Sequence, residues 1–381
     1  MPPGFCLMKA KPFTLALAVV VLVVGAIYAR GRGRPLADIE GQTRDLTVTP
    51  QGVFWISAPA EPGDSPARIM YVGAGGGTPS VLLQAYDVRS LAVHSGSLYA
   101  LAETGPEDAG GVLVIRDLKT GQRQVHKGLH SPQGLYVDGS RLFWTESRAS
   151  RAEAIAHVPI MCPLHALRVT DAAPAQGKLM SLMEGSDRHF AGQIVGLRDD
   201  KLYWTEPIGQ AFSAGCTLVR RKAPSDMDPE TMARTKGANV AALDGANLYW
   251  TAYSLELNRP SGGRVTYRRH VDTPDQELLT DWLPAMGALL TDRGGARFVG
   301  AGWLWEIPHR LAEPTPVRRF VARGPGTVAL YRGSIYGVDL VQDTEKLVRR
   351  PLGLRGYILG ALAFRQPAIN TDTTVLGGDA A

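Results

Sequence analysis

Apolar residues in this chain fall into short runs that come in pairs, each pair hinged on two turn-forming residues. Residues 134–146 show the unit most plainly: Leu135, Tyr136 and Val137 lead into Asp138-Gly139, and Leu142, Phe143 and Trp144 lead out to Thr145-Glu146. An apolar run bounded by turn signals predicts a strand. Two such runs joined by Asp-Gly predict a β-hairpin, because a tight hairpin needs positive φ at its turn. Clear siblings lie at 195–206, hinged on Asp199-Asp200, and at 241–252, hinged on Asp244-Gly245. Weaker copies occupy 46–57, 91–100 and 328–339, and a degenerate seventh lies at 289–299 around Gly294-Gly295.

The aromatic that precedes the Trp position marks each unit: Phe54, Tyr99, Phe143, Tyr203, Tyr249, Phe298 and Tyr336, between 38 and 60 residues apart. Further strand-like runs lie between the hairpins, such as 111–116, 123–128 and 218–222. A hairpin repeated at this period with two more strands per unit predicts an all-β fold, a β-propeller of four-stranded blades. The first run of each hairpin is nearly all apolar, as expected of an innermost strand buried between neighbours. The aromatics of the second run are suited to fill the wedge between blades.

The segments Phe143-Trp144-Thr145-Glu146 and Tyr203-Trp204-Thr205-Glu206, with His130-Ser131-Pro132-Gln133-Gly134-Leu135-Tyr136-Val137-Asp138 ahead of the first, resemble the YWTD-type and NHL-type propellers and their TolB-like relatives. The resemblance covers roughly residues 42–366, with three units well matched. In the YWTD pattern the final Asp ties adjacent blades by hydrogen bonds; the residues standing there are Glu146, Glu206 and Ala252. Six blades are that family's norm. Seven markers predict seven blades here, with six as the alternative.

Residues 13–28 carry no charge, follow Lys9 and Lys11, and precede Arg30, Arg32 and Arg34. An apolar stretch so flanked predicts a transmembrane anchor over 13–29 behind a tail of residues 1–12, a cleaved signal peptide being the rival reading. Residues 30–41, rich in Gly and Arg, read as a linker, 42–366 as the propeller, and the small, polar residues 367–381 as a flexible tail. The expected location is a membrane, single-pass, with the propeller on the periplasmic or extracellular side. A net charge of +5 over 381 residues gives no basis for nucleic-acid binding.

In a propeller the loops joining second and third strands gather on one face with the blade-to-blade connections, and such loops carry function on a rigid scaffold. The third unit is the longest, its excess falling at 147–164, and 207–215 and 252–263 are also extended. The expected binding face comprises Trp144, Glu146, His157, Trp204, Glu206, Trp250 and Tyr253. Cys162 and Cys216 end corresponding loops of neighbouring blades and are disulfide candidates. No zinc-ligand spacing, haem-attachment motif or nucleophile elbow occurs, so neither a metal nor a cofactor is expected. Gly73-Ala74-Gly75-Gly76-Gly77 lacks the Lys of a phosphate loop and reads as a turn between outer strands. Arg220-Arg221-Lys222, Arg268-Arg269-His270, Arg318-Arg319 and Arg349-Arg350 recur on outer strands as a solvated edge or a basic flank. These readings favour a membrane-anchored propeller that binds a protein partner or scaffolds a membrane complex. The alternatives are a propeller enzyme (hydrolase, lactonase or lyase) using the central channel, and a carbohydrate or cell-wall binder.

Overall fold

The computed structural model describes residues 34–59, 65–105, 110–138, 141–147, 164–171, 180–184, 194–208, 216–222, 229–236, 240–253, 264–281, 283, 287–292, 295–300, 303–319, 327–341, 344–352 and 369–375. Among these the chain is all-β, and its strands form seven antiparallel sheets with a four-stranded up-and-down core. All seven hairpins foreseen from the pattern join the first strand of a sheet to its second through two residues. In the second sheet His94 pairs with Ser97 around Ser95-Gly96, and in the fourth Arg198 pairs with Lys201 around Asp199-Asp200. In the seventh sheet Tyr331 pairs with Ser334 around Arg332-Gly333. These six turn residues all have positive φ, between 46° and 82°.

The first strands pack on one another in succession. They are Gln42–Thr49, Asp87–His94, Pro132–Asp138, Ile194–Arg198, Ala241–Asp244, Ala288–Asp292 and Val328–Tyr331, and the last packs back on the first. A ring of sheets with their first strands innermost is the β-propeller arrangement. The wedge between sheets is filled by an alternation on the second strands. Successive residues point to opposite sheet faces, so each marker aromatic packs toward the following sheet and its neighbour toward the preceding one. Tyr99 shares a buried cluster with Trp144, Phe143 with Trp204, Tyr203 with Trp250, and Tyr336 with Trp55. The sixth sheet departs by one residue: Phe298 packs back against Tyr249, in the Trp position, while Val299 packs onward against Val328 and Ile335. The hairpin itself pairs like the others, Asp292 with Gly295, so the aromatic and not the strand is displaced by one place, which makes this copy the least legible in sequence.

Two expectations are corrected. Within the expected linker, Arg34–Asp38 is a strand, the outermost of the seventh sheet, paired antiparallel with Thr344–Pro351. Leu36 and Ala37 are buried with Trp55, Val72, Tyr336 and Leu347, so burial overrides the Gly-, Arg- and Pro-rich surroundings of this strand. The Gly-rich turn between Ala67–Gly73 and Ser80–Ala85 receives it: Gly77 N donates to Leu36 O at 2.8 Å, and Arg34 Nη2 donates to Gly75 O at 2.8 Å. Gly76 has φ of 77°, and a Cβ there would lie 2.8 Å from Leu36 O, so this approach requires glycine. Second, part of the expected flexible tail is ordered. Thr374–Val375 adds a fifth, parallel strand beside Ser80–Ala85 in the first sheet.

No helix among the described residues is long and apolar enough to cross a membrane, and the expected anchor at 13–29 lies outside them.

Candidate functional site

The first strands begin on the face where second strands end and third strands start, the face that also receives the blade-to-blade connections. There the apolar inner strands carry charge. Arg44 and Asp45 lie in the first strand of the first sheet, and Asp87 and Arg89 in that of the second. The register shifts between Arg44 and Leu46 and again between Val88 and Ser90, so Asp45 and Arg89 are bulge residues. A bulge re-aims the side chain it carries. Asp45, with φ of 41°, is turned toward the second sheet, where its Oδ2 accepts from Ser90 Oγ and from Leu91 N, each at 2.8 Å. Ser90 Oγ in turn accepts from Leu135 N of the third sheet at 3.2 Å. One polar chain thus joins three inner strands. Burial pushes the Asp45 carboxyl above its ordinary value, and the bonds from Leu91 N and Ser90 offset only part of that rise. Oδ1 of Asp45 makes no bond among the described residues.

Beside Asp45 lies an ion network. Arg89 Nε meets Asp87 Oδ2 at 3.1 Å, Arg89 Nη2 meets Glu103 Oε1 at 3.1 Å, and Arg44 Nη1 reaches Asp87 Oδ1 at 3.8 Å. Asp87 and Glu103 are buried, whereas the Arg44 side chain is 39% exposed. Arg44 is therefore the member of the network that solvent or a ligand can reach. On the other side of the same strand, a cleft of about 250 Å³ lined by Gln42, Thr43, Thr327, Val338 and Glu345 opens between the seventh and first sheets. The opposite mouth of the ring has a cavity of about 350 Å³ among Tyr136, Gly196, Leu197, Arg198, Leu243 and Gly245. Its one described cation is already engaged: Arg198 meets Asp199 at 2.9 Å and Asp272 at 3.7 Å.

The residues singled out in the sequence sit elsewhere. Trp144, Trp204 and Trp250 are at most 1% exposed and belong to the clusters between sheets, where they present no surface to a partner. Glu146 is also buried. Its Oε1 accepts from Trp144 Nε1 at 3.1 Å and its Oε2 from His130 N at 3.3 Å, fastening the connection between the second and third sheets. Glu206 and Tyr253 are on second strands, and Cys216 opens a third strand opposite Ile208, but their side chains lie outside the described residues. His157 and Cys162 lie wholly outside them, as do residues 148–163, 209–215 and 254–263 of the extended loops.

The recurrent arginines are partly absorbed into the fold. Arg268 bonds Glu277 at 2.5 Å and His309 O at 3.2 Å, Arg269 donates to Met232 O of the neighbouring sheet, and Arg350 pairs with Asp339. Asp45, Arg44, Asp87 and Arg89 were missed because the repeat directs attention to the hairpins. The signal was present as charged residues, Arg44 and Asp45, then Asp87 and Arg89, in the innermost strands of two successive sheets.

No protein-family model matches the sequence, and no curated protein matches it at a significant level. Solved structures do resemble the fold. An oligogalacturonate lyase in complex with manganese aligns over 85% of this chain and 91% of its own, at 12% identity and TM-score 0.52. The polysaccharide lyase Uly1 aligns over 83% and 91%, at 10% identity and TM-score 0.52. A puromycin-hydrolyzing peptidase of Mycobacterium tuberculosis aligns over 84% of this chain and 51% of its own, at 15% identity and TM-score 0.54. At these identities the likeness is one of fold. Among the described residues no three His, Cys, Asp or Glu side chains converge as metal ligands, so they offer no ligand set for manganese.

Proposed function

We propose that this chain is a seven-bladed propeller enzyme that cleaves an acidic polysaccharide by β-elimination at the connection-side mouth of its ring, held at a membrane through residues 13–29 with the ring exported. The observation that carries the reading is Asp45, an inner-strand carboxyl raised by burial and fixed through one oxygen, the other making no bond among the described residues. A carboxylate with raised pKa is a stronger base than an ordinary one and better suited to take a proton from carbon. Asp45 takes the proton from the carbon beside the sugar carboxylate. The released electron pair forms the new C=C bond, the glycosidic C–O bond breaks, and the leaving oxygen takes a proton from solvent. Arg44, the exposed cation of the adjoining network, pairs with the sugar carboxylate and stabilises the charge that develops there.

The substrate class comes from the two lyases that align with most of this chain and of their own. The protein-scaffold reading rests on the anchor, the repeat scaffold and one elaborated face; the anchor and most of the extended loops lie outside the described residues, and Trp144, Trp204 and Trp250, expected on that face, are buried.

The test is incubation of the purified protein with polygalacturonate and other uronate-containing polymers, following the ultraviolet absorbance of the unsaturated product. Asp45→Asn is expected to lower kcat roughly 10²- to 10⁴-fold, and Arg44→Ala to raise KM more than it lowers kcat. Absence of unsaturated product across the panel, from protein with intact thermal unfolding, overturns the reading.

A further inference from the structure

The outer rim between the first and second sheets holds a guanidinium where a propeller edge would carry only solvent-facing polar groups. Arg116, on the third strand of the second sheet (Gly111–Asp117), is 1% exposed. A buried cation is tolerated only when its donors find acceptors. Nε has none among the described residues; of the acceptors that the two terminal nitrogens find, Leu82 O belongs to the first sheet and all the others come from residues 370–374. Nη1 donates to Leu82 O and to Thr374 Oγ1 at 3.2 Å, and Nη2 to Asn370 O at 3.2 Å and Asn370 Oδ1 at 3.0 Å.

The rim is shaped for the rest of that segment as well. Ile369 packs on the apolar cluster that contains Leu82 and Leu118. Asn370 N donates to Leu118 O. The Asn370 amide fits against Gly121, where φ is 77° and a Cβ would come within 2.9 Å of Asn370 Nδ2. Thr373 Oγ1 donates to Val81 O at 2.9 Å, and Thr374 and Val375 pair with Leu83 and Gln84 on the sheet edge. An apolar socket, a glycine notch, a buried guanidinium and a strand edge read this segment through four side chains, Ile369, Asn370, Thr373 and Thr374, as well as through its backbone. A tail that merely settled on an edge would use the ladder alone.

We infer that this rim is a peptide-binding groove of the strand-addition type, selective for an extended segment with an apolar residue, Asn next to it and Thr four residues after the Asn, and that its resident ligand is residues 369–375 of this chain. Strand addition draws affinity from backbone bonds and specificity from side-chain pockets, and both are present. The segment touches the body only at this rim among the described residues, so it is a detachable ligand held at high local concentration by its tether. While bound it clasps the first two sheets at their outer edge, the same two sheets that Asp45 and Ser90 join at the hub.

The experiment uses the full chain with Asn370→Ala and Thr374→Val, which removes the two tail side chains that Arg116 reads. A labelled synthetic peptide of residues 367–377 is titrated into this variant and into the parent, following fluorescence anisotropy. The variant is expected to bind the peptide, the parent at least ~10-fold more weakly because its own tail occupies the groove, and a variant further carrying Arg116→Met not at all. A folded tail variant that binds no peptide, or binding indifferent to Arg116→Met, overturns the inference. Hydrogen exchange on the parent gives a second reading should the tail variant not fold. Exchange of the Thr374 and Val375 amides faster than that of the ring core supports a detachable ligand, and exchange only at the rate of global unfolding overturns it.

Discussion

Asp45 sets a pH dependence whose sign is the reverse of the usual one for a carboxyl. Most native carboxylates are stabilised by partners, and acid then weakens the fold. The Asp45 carboxyl is raised from an ordinary value of 3.8 by burial, so the native state holds its proton more tightly than the unfolded state. Its stabilising contribution is therefore present below the ordinary value and is lost as pH rises through the folded one. Asn at this position keeps an oxygen to accept from Ser90 and Leu91 and cannot ionise. Urea midpoints measured across this range are expected to fall with rising pH more steeply in the parent than in Asp45→Asn. Parallel curves would show that Asp45 ionises in the fold without penalty. In the sequence this residue shows only as a charge beside Arg44 in a first strand, and nothing local marks its raised carboxyl. Its properties come from Ser90 and Leu91, about 45 residues away on another sheet.

At the scale of the strand and its turn, the sequence was read most fully, because a two-residue hairpin is a local problem whose solution is written in the turn residues. Asp199 and Asp200 show this at its least favourable: both have positive φ, 48° and 64°, without glycine. Non-glycine residues with a Cβ resist that conformation, and Asn-Gly is the preferred pair for such a turn. The double substitution Asp199→Asn, Asp200→Gly is expected to stabilise the protein by about 0.5–1 kcal/mol, read as a raised midpoint of thermal unfolding. The ion pairs lost, Asp200 with Arg141 and Asp199 with Arg198, both involve exposed carboxylates and offset little of this. An unchanged or lowered midpoint would mean that the turn is held by its strands and not by its own preference. Strands closed by distant partners were far less legible. Arg34–Asp38 lacks a hairpin mate, and Thr374–Val375 is only two residues long with a parallel partner. Neither has a local signal, since each becomes a strand only where an edge already exists to receive it.

For the whole molecule, ring closure rests on the cluster that Leu36 of the closing strand enters. Leu36 is 3% exposed and sits in the cluster that joins the seventh sheet to the first. Leu36→Ala is expected to cost about 2–4 kcal/mol, while Val317→Ala, on the exposed outer strand of the sixth sheet, should change stability by less than about 0.5 kcal/mol. Chemical denaturation of the two variants checks the contrast. Equal losses would mean that closure contributes nothing special.

The closing strand also has a consequence in time. A ribosome releases Arg34–Asp38 long before Thr344–Pro351, the strand on which it must pair. Contacts so distant in sequence are slow to form, and a chain that folds as it emerges completes its early units first. The four-stranded cores of six sheets can be built in order during synthesis, but the seventh needs an early and a late part of the chain together. Until then the earliest strand waits with its apolar Leu36 and Ala37 uncovered. The interval between synthesis and closure is thus the period in which this protein is most exposed to aggregation or to capture by a chaperone.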